Sequence, residues 1–293
     1  LPSRSVHAAS GAIFLVNSAA DNEIDDGLCT LREALHAANG NTNSYMGCTN
    51  ESGVFGDDLI SFSLPANSVI TLTSPLPAIA LGSTIINGRN NGSPVTIDGA
   101  GSHQIFYVNH GTKLQLENII IQNGNSGSDV GGAINTIGEL IVTKSAFLNN
   151  ATATDGGAIA INNGTVTVVN STFSGNSASY GGAFSNNSGT LTIYNSTISG
   201  NTATTRGGAL TTWQGGVMPP VTTIYNTIMA NSTAPEDCWN GFGAGTLGGS
   251  NNIIETTAEE ASSCNPITVS TSDPQLGALT GSPPYFPLNP GSP

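Results

Sequence analysis

The chain has few charged side chains, and basic ones are especially scarce. Charged residues make up 9% of its 293 residues, and nineteen Asp and Glu against six Lys and Arg give a formal net charge of −13 at pH 7. A surface of this sign repels phosphate backbones and acidic sugars. The composition therefore predicts that nucleic acid is not a partner.

Long apolar runs are also missing. No segment approaches the roughly 18 to 20 consecutive apolar residues that a membrane helix requires, so we expect no membrane insertion. The N-terminus, LPSRSVHAASG, lacks the basic and apolar segments of an uncleaved secretion signal. We therefore expect a mature protein from which such a signal has been removed, secreted or associated with the cell surface.

Cysteines are few and fall into two local pairs near the ends of the chain, Cys29 with Cys48 and Cys238 with Cys264. Three pairings are possible, and two terminal disulfides would fit an oxidising compartment. Zinc binding is the weaker interpretation because no CxxC spacing or neighbouring His supports it. We expect no metal and no cofactor.

Leu-, Lys- and Glu-rich helical segments are scarce, whereas glycine is abundant at 37 residues, which indicates β structure. A double glycine recurs at spacings of 25, 25 and 26 residues, its first member standing at Gly131, Gly156, Gly181 and Gly207. Between the copies lie period-2 segments such as TVTV and TLTI, which predict strands. Units of this length cannot bury their apolar side alone, so the repeat predicts an all-β parallel β-helix, a solenoid of stacked coils.

The stacking of coils explains which residue types recur from one copy of the repeat to the next. Glycine suits a tight bend beneath an identical bend, because it adopts positive φ and allows close backbone approach. One apolar column is expected at Ile121, Phe147, Phe173 and Ile198. An asparagine ladder is expected at Asn118, Asn170, Asn195 and Asn226. These positions are therefore interpreted as structural.

The two ends of the chain differ from the repeat. Thr30 and Glu33 form a capping-box pattern before apolar residues at helical spacing, which predicts a short capping α-helix over about 31–38 that covers the open end of the core. We divide the chain into an N-terminal arm (1–15), the β-helix (16–264) and an irregular Pro/Gly-rich closure (265–293). The acidic segment DNEIDDG is interpreted as a solvated loop.

Several segments carry a family resemblance: CTLREALHAANG, GDDLISF, PVTIDGAGSHQIFYV and the GGA coils. Together they resemble bacterial surface proteins that carry the CSLREA motif on a right-handed β-helix, over about residue 16 to the end. The GGAI and FxxN repeats are also similar to those of polymorphic outer membrane proteins, which act largely as adhesins. Both resemblances imply a bacterial cell-surface scaffold.

Candidate binding residues concentrate immediately before the double glycines. This column consists of Val130, Asp155, Tyr180 and Arg206, with Asp129 beside the first. If the chain is an enzyme, Asp129 and Asp155 are the acid pair, since retaining glycosidases hold two carboxylates about 5 Å apart. Trp213 could stack on a sugar, although packing over the solenoid end is the favoured interpretation. Lys113 and Glu139 are expected to form a surface ion pair.

The leading hypothesis is a non-catalytic extracellular structural protein with no catalytic residues. It would associate head to tail into a filament, or act as an adhesin that binds a glycan or another cell-surface ligand. The alternative is a polysaccharide-active enzyme, a glycosidase or a lyase, with a groove along the β-helix.

Overall fold

The computed structural model describes residues 11–41, 45, 47–48, 56–216, 218–241, 245–255, 264 and 267–292. Their fold is a parallel β-solenoid of about seven turns with one short helix, which confirms the predicted architecture. Most of the predicted N-terminal arm, residues 1–10, lies outside the described residues. The first solenoid strand begins at Ile13, three residues before the boundary expected at residue 16.

Three parallel sheets form the solenoid, and the coils over residues 83–240 contribute one strand to each sheet in turn, whereas the described residues of the first coils have no strand in the third sheet. Sheet A contains, in spatial order, β1 (Ile13–Val16), β2 (Asp57–Phe62), β4 (Ser83–Asn87), β8 (Lys113–Glu117), β11 (Glu139–Thr143), β14 (Thr165–Val169), β18 (Thr190–Tyr194), β22 (Val221–Tyr225) and β25 (Thr246–Ser250).

Sheet B contains, in spatial order, β3 (Val69–Thr71), β6 (Ser93–Asp98), β9 (Ile119–Gln122), β12 (Ala146–Leu148), β15 (Thr172–Ser174), β19 (Thr197–Ser199), β23 (Ile228–Ala230), β26 (Asn252–Ile254) and β27 (Thr268–Ser270). A short additional strand, β5 (Arg89–Asn90), pairs antiparallel with β6. Sheet C contains β7 (Phe106–Val108), β10 (Ile134–Thr136), β13 (Ile159–Asn162), β17 (Phe184–Asn187), β21 (Leu210–Trp213) and β24 (Cys238–Asn240). A fourth, two-stranded sheet joins β16 (Ser177–Tyr180) to β20 (Thr202–Arg206).

The core is a narrow apolar column between the three sheets. Inward-facing residues repeat from rung to rung, and the predicted column of Ile121, Phe147, Phe173 and Ile198 is in register and fully buried. The Phe147 and Phe173 rings stack with centroids 4.7 Å apart, close to the spacing of neighbouring strands. At this point of the column a phenylalanine packs on the phenylalanine of the next rung.

A buried amide ladder stabilises one corner. Asn150 donates from Nδ2 to Asn176 Oδ1 at 2.9 Å, and Asn176 donates in the same way to Asn201 at 2.9 Å. All three residues are fully buried, and their amides also bond to the main chain of neighbouring rungs. The Asn side chain of the FxxN pattern therefore makes the hydrogen bonds to the main chain at this corner that water would make at an exposed turn.

The expected asparagine ladder is present only in part. Its four residues have φ between 49° and 51°, so they occupy the left-handed corner that favours Asn. Side-chain bonds link Asn226 to Asn195 at 3.1 Å and Asn118 to Asn87 at 3.4 Å. Lys144, with φ 48°, takes the same corner between Asn118 and Asn170, so the column is not continuous asparagine.

The capping helix is α1 (Leu31–Gly40), and both hydrogen bonds of the predicted capping box are present. It ends at Gly40, two residues beyond the expected end at residue 38, because the next residue, Asn41, supplies the left-handed C-cap. Its apolar residues are buried in the core cluster, which confirms that it covers this end of the solenoid. Both expected disulfides are formed, Cys29 to Cys48 beside the helix and Cys238 in β24 to Cys264.

The C-terminal closure is more regular than the sequence indicated. Strand β27 adds one more rung to sheet B. The chain then folds back on itself through antiparallel bridges between Leu276 and Leu288 and between Thr280 and Tyr285. These bridges leave Tyr285 and Leu288 more than half exposed.

Candidate functional site

The double glycine sets the position of the candidate column. The first glycine of each pair has φ between 64° and 73°, which turns the chain sharply into sheet C. The second glycine lies against the neighbouring rung, where a Cβ on Gly157 would be 2.2 Å from the Gly182 carbonyl oxygen. The residue before each pair is therefore fixed at the entrance to the sheet.

Three of the predicted residues are stacked on consecutive rungs. Asp155 forms a parallel bridge with Tyr180, and Tyr180 pairs with Arg206 across β16 and β20. All three side chains are half-buried. The structure thus brings together Asp155, Tyr180 and Arg206 as the sequence predicted.

Asp129 lies apart from this column. Its side chain is exposed, and it is the main-chain carbonyl of Asp129 that accepts hydrogen bonds from the hydroxyls of Thr152 and Thr154. Burial raises the pKa of the Asp155 carboxyl. The Asp129 side chain is exposed whereas Asp155 is half-buried, and among the described residues no hydrogen bond joins the two carboxylates, so the structure does not favour the hypothesised acid pair.

Arg206 has a partner that the sequence analysis missed. Its Nη1 lies 3.2 Å from Glu236 Oε2, and the Glu236 side chain is only 1% exposed. Glu236 also receives a hydrogen bond from the main-chain N–H of Gly207 at 3.2 Å. Glu236 lies in the next rung, where its main-chain carbonyl accepts a hydrogen bond from Gly208 N–H, and a longer coil hides it from the 25-residue period.

Trp213 lies on the flank of the solenoid and not across its end, which corrects the favoured interpretation. It is the last residue of β21, and its ring lies 6.5 Å from the Tyr180 ring with an interplanar angle of 27°. Alternation along the strand directs Trp213 outward because Leu210 and Thr212 are buried. Tyr180 and Trp213 therefore form an aromatic pair on the outer face of sheet C.

The outer face of sheet C has a floor of small residues. Its outward positions on three successive rungs are Ala160, Ser185 and Thr211, exposed by 2%, 0% and 0%. Asn162 and Asn187 continue this face towards Trp213 and bond to each other at 3.2 Å. Small floor residues allow the larger flanking side chains to close over them.

Unsatisfied polar atoms cluster in this region. Within the described part of the chain, five buried side-chain atoms lack a hydrogen-bond partner, and four of them belong to Ser185, Trp213, Ser232 and Asn240. Three of these residues lie in the adjacent strands β17, β21 and β24. Sequence reasoning singled out Trp213 but missed Ser185, Ser232 and Asn240, because a Ser or Asn in a repeat of Ser and Asn carries no distinguishing signal.

A second cleft lies at the corner between sheets C and A. It has a volume of about 380 Å³ and is lined by residues that include His110, Lys113, Glu139 and Thr165. Lys113 Nζ lies 3.1 Å from Glu139 Oε1, which confirms the expected ion pair. Both side chains are substantially exposed, so the pair stabilises the fold by about 1 kcal/mol at most.

The acidic loop is partly structural. Asp21, interpreted as solvated, has a side chain only 1% exposed, and it binds the Arg32 guanidinium through Nε at 2.9 Å and Nη2 at 2.8 Å. Among the described residues, no group of three or more His, Cys, Asp or Glu side chains is arranged to hold a metal ion. Nor is any helix in the described ranges long and apolar enough to span a membrane.

Comparisons of this chain with protein families, with curated proteins and with solved structures find no match. Its function is therefore inferred from the geometry described above.

Proposed function

We propose that this chain is a non-catalytic extracellular structural protein whose copies associate end to end into a filament. The observation that carries this proposal is the pair of strands at the two ends of sheet A. Within the described residues, β1 pairs with β2 alone and β25 pairs with β22 alone. Helix α1 covers the apolar core at the β1 end, but no strand of the described residues pairs with the outer edge of β1. Such strand edges are templates for pairing with another chain.

The hydrogen bonds of β1 show which groups face outward. Leu59 N–H donates to the Ala12 carbonyl and Ser63 N–H donates to the Val16 carbonyl, both at 2.8 Å. Because successive residues of a strand direct their main-chain groups to opposite sides, those of Ile13 and Leu15 face away from β2. The Leu15 side chain is also 41% exposed.

The polarity of the sheet makes the two edges compatible. All nine strands of sheet A are parallel, so β25 of one copy and β1 of a second copy meet in the same sense when the copies are stacked. Such a contact joins two different surfaces of identical chains, and repeating it produces an open filament. The sheet would then continue across the junction.

Two further observations support an extracellular structural role. The disulfides Cys29–Cys48 and Cys238–Cys264 are compatible with an oxidising compartment. The Asp129 side chain is exposed whereas Asp155 is half-buried, which weighs against the paired carboxylates of the glycosidase alternative. Secretion with removal of a signal peptide, and relationship to bacterial surface proteins, belong to this proposal.

The proposal is tested by placing a charge on each edge. Leu15→Lys and Gly248→Lys each add a charged side chain to an end strand, a device that blocks edge pairing. A Cβ on Gly248 would find its nearest neighbour, Thr223 Oγ1, at 4.0 Å, so this change should preserve the fold. Electron micrographs should show filaments for the unmodified chain and isolated rods for both variants.

The matched control is Met218→Lys, which adds the same charge at an exposed apolar residue on the flank. It should leave the filaments intact. Filaments that persist in both edge variants, or unmodified protein that remains monomeric at every concentration, would refute end-to-end association.

A further inference from the structure

The flank of the solenoid carries a second surface whose chemistry end-to-end association does not use. It consists of the Tyr180 and Trp213 pair and of Asp155 on the preceding rung. These residues reach the outer face of sheet C from its two sides, because Tyr180 precedes β17 whereas Trp213 ends β21. Their rings therefore meet above the floor formed by Ser185 and Thr211.

Two buried polar groups on this face of sheet C lack a partner. Ser185 is fully buried, and its Oγ has no hydrogen-bond partner among the described residues. The Nε1 of Trp213 is likewise buried and unpartnered. A buried hydroxyl or indole N–H without a partner destabilises the fold, so each group is a candidate partner for a bound ligand or an ordered water.

The charges around the rings are unequal. Arg206 forms an ion pair with Glu236, whereas none of the ion pairs among the described residues includes Asp155. Burial raises the pKa of the Asp155 carboxyl. Asp155 is therefore available as a hydrogen-bond acceptor for neutral donors. The net charge of −13 disfavours an acidic ligand at the same place.

We propose that Tyr180, Trp213 and Asp155 form a binding site for a neutral sugar unit of a polysaccharide. The aromatic pair offers a flat apolar surface to the C–H face of a pyranose ring, and the carboxylate accepts hydrogen bonds from sugar hydroxyls. The combination of an apolar surface with a few fixed polar groups is typical of small-ligand sites.

A second aromatic pair provides the contrast. Tyr194 and Tyr225 stack on the outer face of sheet A with centroids 5.4 Å apart, and Tyr194 is 37% exposed. None of the unpartnered buried atoms in the described chain belongs to their strands, β18 and β22. Exposed aromatic stacking alone therefore does not distinguish the site, and Tyr194→Ala is a matched control.

The test is isothermal titration calorimetry with cellohexaose, mannohexaose and xylohexaose as neutral probes and oligogalacturonate as the acidic comparison. At least one neutral probe should bind, and oligogalacturonate should bind more weakly. Trp213→Ala should weaken binding about tenfold or more, as expected for a central aromatic contact, whereas Tyr194→Ala should leave it unchanged.

A second variant, Asp155→Asn, distinguishes the loss of a ligand contact from a loss of binding that is caused by unfolding. This change removes a carboxylate whose burial is unfavourable, so the thermal stability should be maintained while the affinity falls. The proposal is overturned if no neutral probe binds, or if binding survives both Trp213→Ala and Asp155→Asn. These outcomes are independent of filament formation, since β1 and β25 do not contribute to the site.

Discussion

The double glycine that begins each coil contains two residues under different constraints. Gly181 has φ 66°, a conformation that side chains other than Asn and Asp rarely adopt. Gly182 has space for hydrogen only, because a Cβ there would lie 2.3 Å from the Gly208 carbonyl oxygen. The first glycine adopts the positive φ that the turn requires, and the second leaves room for the main chain of the neighbouring coil.

We expect Gly182→Ala to destabilise the chain by about 1 to 3 kcal/mol, the usual cost of forcing extra volume into a packed site. The displaced atom is main-chain oxygen of the next rung, which cannot move without distorting that rung. Gly248→Ala is the control, because a Cβ there contacts nothing closer than 4.0 Å. Chemical denaturation followed by circular dichroism measures both, and equal effects would contradict the assignment.

The buried amide ladder makes a second residue-scale prediction. Asn176→Ala removes the acceptor for both the main-chain and side-chain N–H groups of Asn150. We expect a loss of about 2 to 5 kcal/mol, because these buried groups cannot reach water. Asn162→Ala breaks amide contacts on the half-buried outer face and should cost less than about 1 kcal/mol. Similar losses for the two variants in thermal unfolding would contradict the ladder's role.

At the scale of elements, the N-terminal cap depends on polar contacts that fix α1 against the solenoid. Arg32 binds Asp21 and also donates to the main-chain carbonyls of Ser74 and Pro75, each at 2.8 Å. Thr73 donates to Asp21 from its main-chain N–H at 2.6 Å. The residues of LREA therefore serve capping, burial and anchoring, which is a structural reason for that pattern.

The cap should respond to acid. Burial raises the pKa of Asp21, but the hydrogen bonds from Arg32 and Thr73 outweigh it, so the pKa lies below its usual value. A lowered pKa stabilises the fold above the unfolded value of about 3.9, and this contribution is lost as pH falls through the folded pKa. At pH 7 Asp21→Asn should cost about 3 kcal/mol, since it breaks a buried pair.

Thermal unfolding of the unmodified chain and Asp21→Asn between pH 7 and pH 2 measures this effect. The difference in Tm should narrow as the pH falls below about 4. Glu139→Gln, which removes the exposed partner of Lys113, should change Tm little at any pH. A difference between Asp21→Asn and the unmodified chain that is constant with pH would contradict the cap's dependence on this carboxylate.

Elements that repeat were predictable, and elements that occur once were less so. The period placed the stacked strands and the column containing Asp155, Tyr180 and Arg206, because parallel stacking converts sequence spacing into contact. The capping box similarly placed α1. The period carries no information on three other features. The Glu236 partner lies in a coil of different length, the Tyr180 and Trp213 contact depends on side-chain directions across sheet C, and the bridge between Leu276 and Leu288 occurs only once.

At the scale of the whole molecule, we propose separate roles for the ends and the flank. Within the described residues, the end strands β1 and β25 each pair with one strand only, whereas the aromatic pair lies on the side and would remain accessible in a filament. The nine strands of sheet A span about 38 Å at about 4.8 Å per strand. A filament of this kind would therefore display one sugar site for roughly each length of one molecule.

Cryo-electron microscopy of the unmodified protein tests end-to-end association most directly. Filaments should give a layer line at about 4.8 Å along the axis, because every strand lies across it, and a reconstruction should place β25 of one copy beside β1 of the next. Filaments joined through other surfaces, or only single rods at all concentrations, would contradict the account.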